Sequence, residues 1–282
     1  MEYRGIFDTH AHYDDERFDE DRDTVLGSLA GHGVSLVVDP ACDLASCEKT
    51  LELSAKYGFI YSAVGIHPHS AKSDGTGEWL QRVEAFAKQN KVVAIGEIGL
   101  DYHYDFSPRE KQLEVFSAQL ALASDLGLPV IIHDREAHAD TLELVQKYRP
   151  RGIIHCYSGS AEMAREFVKL GMYIGFTGSV TFKNANKLLL AAAEVPEDRI
   201  LLETDCPYMR RCRIGDGGAT ARLFRQRRNA LRKFAARTHR PLSTVRGRTA
   251  AVFTELKRRT EYENKKKAMG KTGACGVGEL HR

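Results

Sequence analysis

The chain has 282 residues, 43% of them hydrophobic and 28% charged, with a net charge of +3. That length accommodates one large α/β barrel or two ordinary domains, and the composition excludes the fibrous and disordered classes. No stretch approaches the apolar length needed to cross a bilayer, Met1-Glu2-Tyr3-Arg4 is not an apolar leader, and six scattered cysteines lack C-x-x-C spacing, so a cytoplasmic protein with reduced thiols is expected.

Short apolar runs of β type recur along the first 205 residues, with room for a helix between each pair. In chain order they are 5–7, 35–38, 59–64, 92–95, 129–132, 152–154, 172–176 and 200–202. Between the fourth and fifth, Glu110 to Leu126 has helical spacing, with Leu113, Phe116, Leu120 and Ala123 on one face. Runs that lack in-out alternation fit strands buried on both faces, and eight βα units fit a closed (β/α)8 TIM barrel better than an open doubly wound sheet. The α/β barrel is predicted to occupy residues 1–208. The glycines of Gly273-Ala274-Cys275-Gly276-Val277-Gly278 follow no apolar run, so no nucleotide cofactor is expected.

Six of the runs end on histidine or an acid, at the end of a barrel strand where catalytic groups gather. The first gives Asp8-Thr9-His10-Ala11-His12, the third Gly65-Ile66-His67-Pro68-His69, and the fourth Gly96-Glu97-Ile98-Gly99-Leu100-Asp101. The fifth ends at His133, the sixth at His155, and the eighth in Glu203-Thr204-Asp205. Alternate residues of a strand point the same way, so His10 and His12 can offer two imidazoles to one cation. Asp205, on the strand expected beside the first, can complete that site. Glu97 could then lend one oxygen to each of two divalent ions (Mg, Mn or Zn), with His133 and His155 on the second. Two ions bridged in this way can activate water without a separate base. His67 and His69 have two readings, contact with substrate or shaping of the turn at Pro68. Glu203, Asp101 and Tyr102 are expected to orient ligands or water from behind, and Arg135 either grips a phosphate or forms an ion pair.

These motifs, with His133-Asp134-Arg135, His155-Cys156-Tyr157-Ser158-Gly159 and Leu202-Glu203-Thr204-Asp205-Cys206-Pro207, resemble those of TatD-type metal-dependent deoxyribonucleases over residues 5–208. The resemblance implies a (β/α)8 barrel that binds divalent metals through His10, His12, Glu97, His133, His155 and Asp205. It also implies hydrolysis of phosphodiester bonds in DNA, often from 3′ to 5′, which assigns catalytic work to Glu97, Asp205 and Glu203 and substrate contact to His67 and Arg135. Neither a membrane nor a nucleotide cofactor enters this expectation. Two rivals stand beside it: another amidohydrolase-type hydrolase or deaminase, and a nucleic-acid binding protein with an inactive barrel.

The resemblance is lost after Tyr208. Residues 206–282 carry 21 Lys and Arg against 5 Asp and Glu, which leaves 20 and 33 in residues 1–205, so an acidic barrel precedes a strongly basic segment. Residues 209–262 are expected to supply two barrel-closing helices, with helical spacing in 223–236 and 252–262, or to form an aberrant basic region. Residues 263–282 are expected to be a disordered tail. A basic extension for nucleic acid, a shifted reading frame and divergence all fit, and the composition leans towards the second. Any DNA binding by this segment should weaken steeply with salt.

Overall fold

The computed structural model describes residues 5–72, 78–182 and 184–208. The expectations for residues 209–282 lie outside the described residues. Eight parallel strands and seven α-helices alternate: β1 (Ile6–Asp8), α1 (Arg22–Ser28), β2 (Val34–Pro40), α2 (Leu44–Lys56), β3 (Ile60–Val64), α3 (Trp79–Ala87), β4 (Val92–Asp101), α4 (Arg109–Leu126), β5 (Val130–Arg135), α5 (His138–Tyr148), β6 (Gly152–Ile154), α6 (Ala161–Lys169), β7 (Tyr173–Phe176), α7 (Asn186–Glu194) and β8 (Ile200–Leu202). Each strand pairs with the next in chain order. Beyond the strands the segments after β1 and β8 meet: Asp205 N–H donates to the His10 carbonyl (2.9 Å) and His12 N–H to the Cys206 carbonyl (2.8 Å). The sheet thereby closes as a (β/α)8 TIM barrel, and β1 and β8 are neighbours at its mouth.

The core divides as this architecture demands. A cluster that includes Phe7, Val38, Ala63, Ile131, Ile153 and Leu201 draws on strands alone and fills the barrel interior. A larger one, including Ile95, Phe116, Leu120, Val130, Phe167 and Ile174, lies between strands and helices. All eight predicted runs are strands, but β4 extends six residues beyond Ile95. It stays paired with β5 because Gly99, at φ 141, lets the two backbones close up; a Cβ there would lie 2.0 Å from the His133 carbonyl oxygen. The pairing skips from Ile95 to Ile98, and Glu97 sits in that irregularity, the kind of bulge that re-aims a side chain.

Helix α4 forms where predicted, with Phe116, Leu120 and Ala123 buried and Leu113 packed against the same core, and it also buries Gln112 and Gln119. The glutamines bracket strand ends. Gln119 accepts from Ile66 N–H (2.7 Å) and donates to the Ile66 carbonyl (3.0 Å), and Gln112 makes the same pair with Asp101 (2.8 and 3.1 Å). Polar side chains that look solvent-facing in the sequence thus fix the loops that carry His67 and Asp101.

Candidate metal centre

The strand ends bring together every residue predicted as a ligand. Just past β1, Ala11 N–H bonds to the Val38 carbonyl, which turns His10 and His12 to the same side. Their Nε2 atoms lie 2.9 Å apart. Glu97 stands between two groups of imidazoles and presents a different oxygen to each. Its Oε2 lies 3.3 Å from His10 Nε2 and 3.5 Å from His12 Nε2. Its Oε1 lies 2.9 Å from His133 Nδ1, 3.7 Å from His67 Nε2 and 3.9 Å from His155 Nε2. Asp205 Oδ1 is 3.9, 3.7 and 3.7 Å from the Nε2 atoms of His10, His12 and His155. Sequence reasoning put Asp205 beside His10 and His12; the structure sets its oxygen equally near His155. Its backbone is left-handed, at φ 52, a conformation aspartate tolerates better than most residues.

Hydrogen bonds on the far side of His12, His133 and His67 set which nitrogen faces inward. The Pro40 carbonyl accepts from His12 Nδ1 (3.0 Å), so neutral His12 offers a bare Nε2. Asp101 Oδ2 accepts from His133 Nε2 (3.0 Å) and from His69 Nε2 (2.9 Å), so His133 turns Nδ1 towards Glu97 and offers it as a lone pair once that nitrogen releases its proton. His155 Nδ1 is 3.0 Å from Glu203 Oε1, which leaves its Nε2 inward. His67 is the reverse. Its Nδ1 accepts the N–H of His69 (3.2 Å), so the nitrogen facing Glu97 carries the hydrogen and donates. His67 is therefore part of the cluster, and it also shapes the turn at Pro68.

Several supports had no sequence signal of their own. Asp8 accepts from Thr204 N–H (2.9 Å) and from the Thr204 hydroxyl (2.8 Å), tying the β8 loop to β1. Glu203 is fixed by Cys156 N–H (2.6 Å) and the Thr9 hydroxyl (3.3 Å). It fits only because residue 175 lacks a side chain: a Cβ on Gly175 would lie 2.6 Å from Glu203 Oε1. Tyr102, expected to assist the site, instead donates its hydroxyl to Asp140 on α5 (2.6 Å). Arg135 has no carboxylate partner among the described residues, and its guanidinium lies 4.7 Å from the Tyr104 ring centroid.

Burial and mutual charge set the protonation states. Burial, helped by the charge of His155, pushes His10 down to about 3. Burial also lowers His67 well below the usual imidazole range. For His133 burial is outweighed by Asp101 and Glu97, which push it up to about 9. Glu97 is held well below the carboxylate range because His10 and His67 outweigh its burial, whereas burial raises Asp205 to about 6.

The donor set fits divalent cations. Four inward imidazole nitrogens, two of them 2.9 Å apart, converge with two carboxylates in a buried space, and such lone pairs repel unless a cation or proton lies between them. His10, His12 and Asp205 form one candidate metal-holding group, His155, Cys156 and Asp205 another, and His67, Glu97 and His133 a third. A (β/α)8 barrel with this cluster at the C-terminal ends of its strands is a metal-dependent hydrolase of the amidohydrolase-like kind.

The family described as TatD related DNase matches residues 7–263, and the chain belongs to it. That match continues beyond Tyr208, where the motif-level resemblance ends. An uncharacterized metal-dependent hydrolase, YabD from Bacillus subtilis, is 44% identical over 207 residues, 72% of this chain and 81% of that protein. A protein named 3′-5′ ssDNA/RNA exonuclease TatD, from Cronobacter sakazakii, is 38% identical over 208 residues, 72% and 79% of the two chains. The crystal structure of YjjV, a TatD homologue from Escherichia coli, superposes with a TM-score of 0.71 at 30% identity, covering 86% of this chain and 98% of that one. No helix among the described residues is long and apolar enough to cross a membrane.

Proposed function

We propose that this chain is a divalent-metal-dependent nuclease that hydrolyses phosphodiester bonds of DNA from the 3′ end. The observation that carries the proposal is the division of Glu97 between two imidazole groups, Oε2 towards His10 and His12 and Oε1 towards His133 and His155. His10, His12 and Asp205 would hold one cation and His133 and His155 the other, with Glu97 facing both groups. Two such cations supply a polarised phosphodiester and an acidified water, the requirement of in-line displacement at phosphorus.

The protein's own groups do the rest. Glu97, held anionic, keeps its negative charge between the two histidine groups. Asp205, close to His10, His12 and His155, would orient the attacking water beside the cation it helps to hold. Glu203 fixes the tautomer and tilt of His155. His67 donates from Nε2 to a non-bridging phosphate oxygen, since its Nδ1 is already an acceptor. Arg135 is free of carboxylates among the described residues and contacts the phosphate backbone. The relative named as a 3′-5′ ssDNA/RNA exonuclease supports the choice of substrate. The test is to incubate the protein with DNA and Mg2+ or Mn2+ and assay the products. Mononucleotides that vanish with chelator are expected; ammonia from an intact strand would move the reading to a deaminase.

A further inference from the structure

The loop between β4 and α4 exposes two aromatic rings beside the metal centre. Tyr104 is 48% and Phe106 53% exposed, and the rings stack with centroids 5.2 Å apart at 17°. One residue links the stack to the centre. The ring of His69 lies 4.8 Å from that of Phe106, 5.5 Å from that of Tyr104 and 6.1 Å from that of His133, and His133 faces Glu97.

The loop is fixed rather than loose. Asp101 Oδ1 accepts from the N–H groups of His103 (3.0 Å) and Tyr104 (2.9 Å). The Ser107 hydroxyl is buried and donates to the His69 carbonyl (3.0 Å) while accepting from Lys72 N–H (3.1 Å). Gln112 donates to the Ser107 carbonyl (2.8 Å). A stacked aromatic pair held in water by this much backbone bonding is a preorganised surface whose apolar area gains by being covered.

Resting on the nuclease reading above, we propose that the Tyr104–Phe106 stack is a subsite for an unpaired nucleobase of the strand being cut, with Arg135 on the adjoining phosphate. Every base presents a flat π face, so an aromatic platform binds nucleobases with little regard to sequence. In a duplex both faces of a base are covered by its neighbours, and its edge is paired. A strand must therefore be single near its end to use the platform. The guanidinium beside Tyr104 adds a cation where the backbone charge passes.

The test is an equilibrium measurement that does not depend on turnover. A fluorescent thymidine pentamer with phosphorothioate linkages, which resist hydrolysis, is titrated with the full chain in Mg2+ and followed by anisotropy. A pentamer of equal charge carrying abasic residues is the control. The wild type is expected to bind the thymidine strand about tenfold more tightly, within the range of one base–aromatic stack. Phe106→Ala is expected to bind both strands equally and weakly, and Phe106→Trp to restore the difference. Phe106 is half exposed, and equal melting of the variants verifies that folding is unchanged. Equal binding of the two strands by the wild type, no binding of either, or the same loss on both in Phe106→Ala would overturn the proposal. A chain that discriminates the bases yet cuts no DNA leaves this subsite standing and removes the nuclease reading; one that cuts DNA without discriminating does the reverse.

Discussion

Glu97→Gln removes one negative charge while keeping the shape of the side chain, and it does so at a residue that turns a different oxygen to each imidazole group. Glu97 is 3% exposed, so little water screens it. Unit charges about 4 Å apart at an effective dielectric of about 20 attract by about 4 kcal/mol, which is about a thousandfold in affinity. Because Oε2 faces His10 and His12 while Oε1 faces His133, the loss falls on both ions and not on one. The assay is calorimetric titration of metal-free protein with Mn2+, with melting curves to show that the variant folds. The wild type is expected to take up two ions per chain, and Glu97→Gln to weaken both by about three powers of ten. A variant that loses one ion and keeps the other at wild-type affinity would refute the bridging geometry.

Asp205→Asn is expected to weaken chiefly the ion held with His10 and His12; equal loss at both ions would show that its oxygen, 3.7 Å from both His12 and His155, serves both. Gly175→Ala forces a methyl group against Glu203 and should lower stability by roughly 1–3 kcal/mol and activity about 10- to 100-fold, measured by melting and initial rates; unchanged rates would remove Glu203 from the account. His67→Ala should reduce turnover while leaving metal stoichiometry at the wild-type value, because its inward nitrogen is a donor; loss of an ion would make it a ligand. Metal binding should strengthen as pH rises. Below about 6 Asp205 takes up a proton, and His133, raised to about 9 in the metal-free site, must release its proton to bind. Calorimetry at pH 7 in buffers of different ionisation enthalpy should therefore show proton release on binding, and none would contradict the assignment of His133.

The barrel was legible because a strand buried on both faces reads as a plain apolar run, and each of the eight runs stands where a strand formed. The clustering of these side chains was legible because six of the eight runs ended in a residue type costly to bury without a partner, as His10, Glu97 and His155 show. What could not be read depends on space and direction. Gly175 matters only through Glu203, which is 28 residues away in sequence and meets it across β7 and β8. The length of β4 hid behind Gly96 and Gly99, which resemble a turn in sequence yet here allow close strand approach. The apolar face of α4 was legible, but Gln112 and Gln119, buried beside it by hydrogen bonds, carried no apolar signal. Which nitrogen of His67 or His133 points inward is set by Asp101 and by the His69 backbone, and no spacing rule carries that.

A two-cation centre bridged by Glu97, as proposed, would shorten a DNA strand from its 3′ end. Digestion of a single strand labelled at its 5′ end tests it most directly, with wild type and Glu97→Gln each assayed in Mg2+ or Mn2+ and in chelator. Wild type with metal should give a ladder of progressively shorter labelled products, and the chelated and Glu97→Gln reactions should leave the strand whole. Equal cutting by Glu97→Gln, cutting that persists in chelator, or immediate release of the labelled nucleotide from the 5′ end would contradict the account.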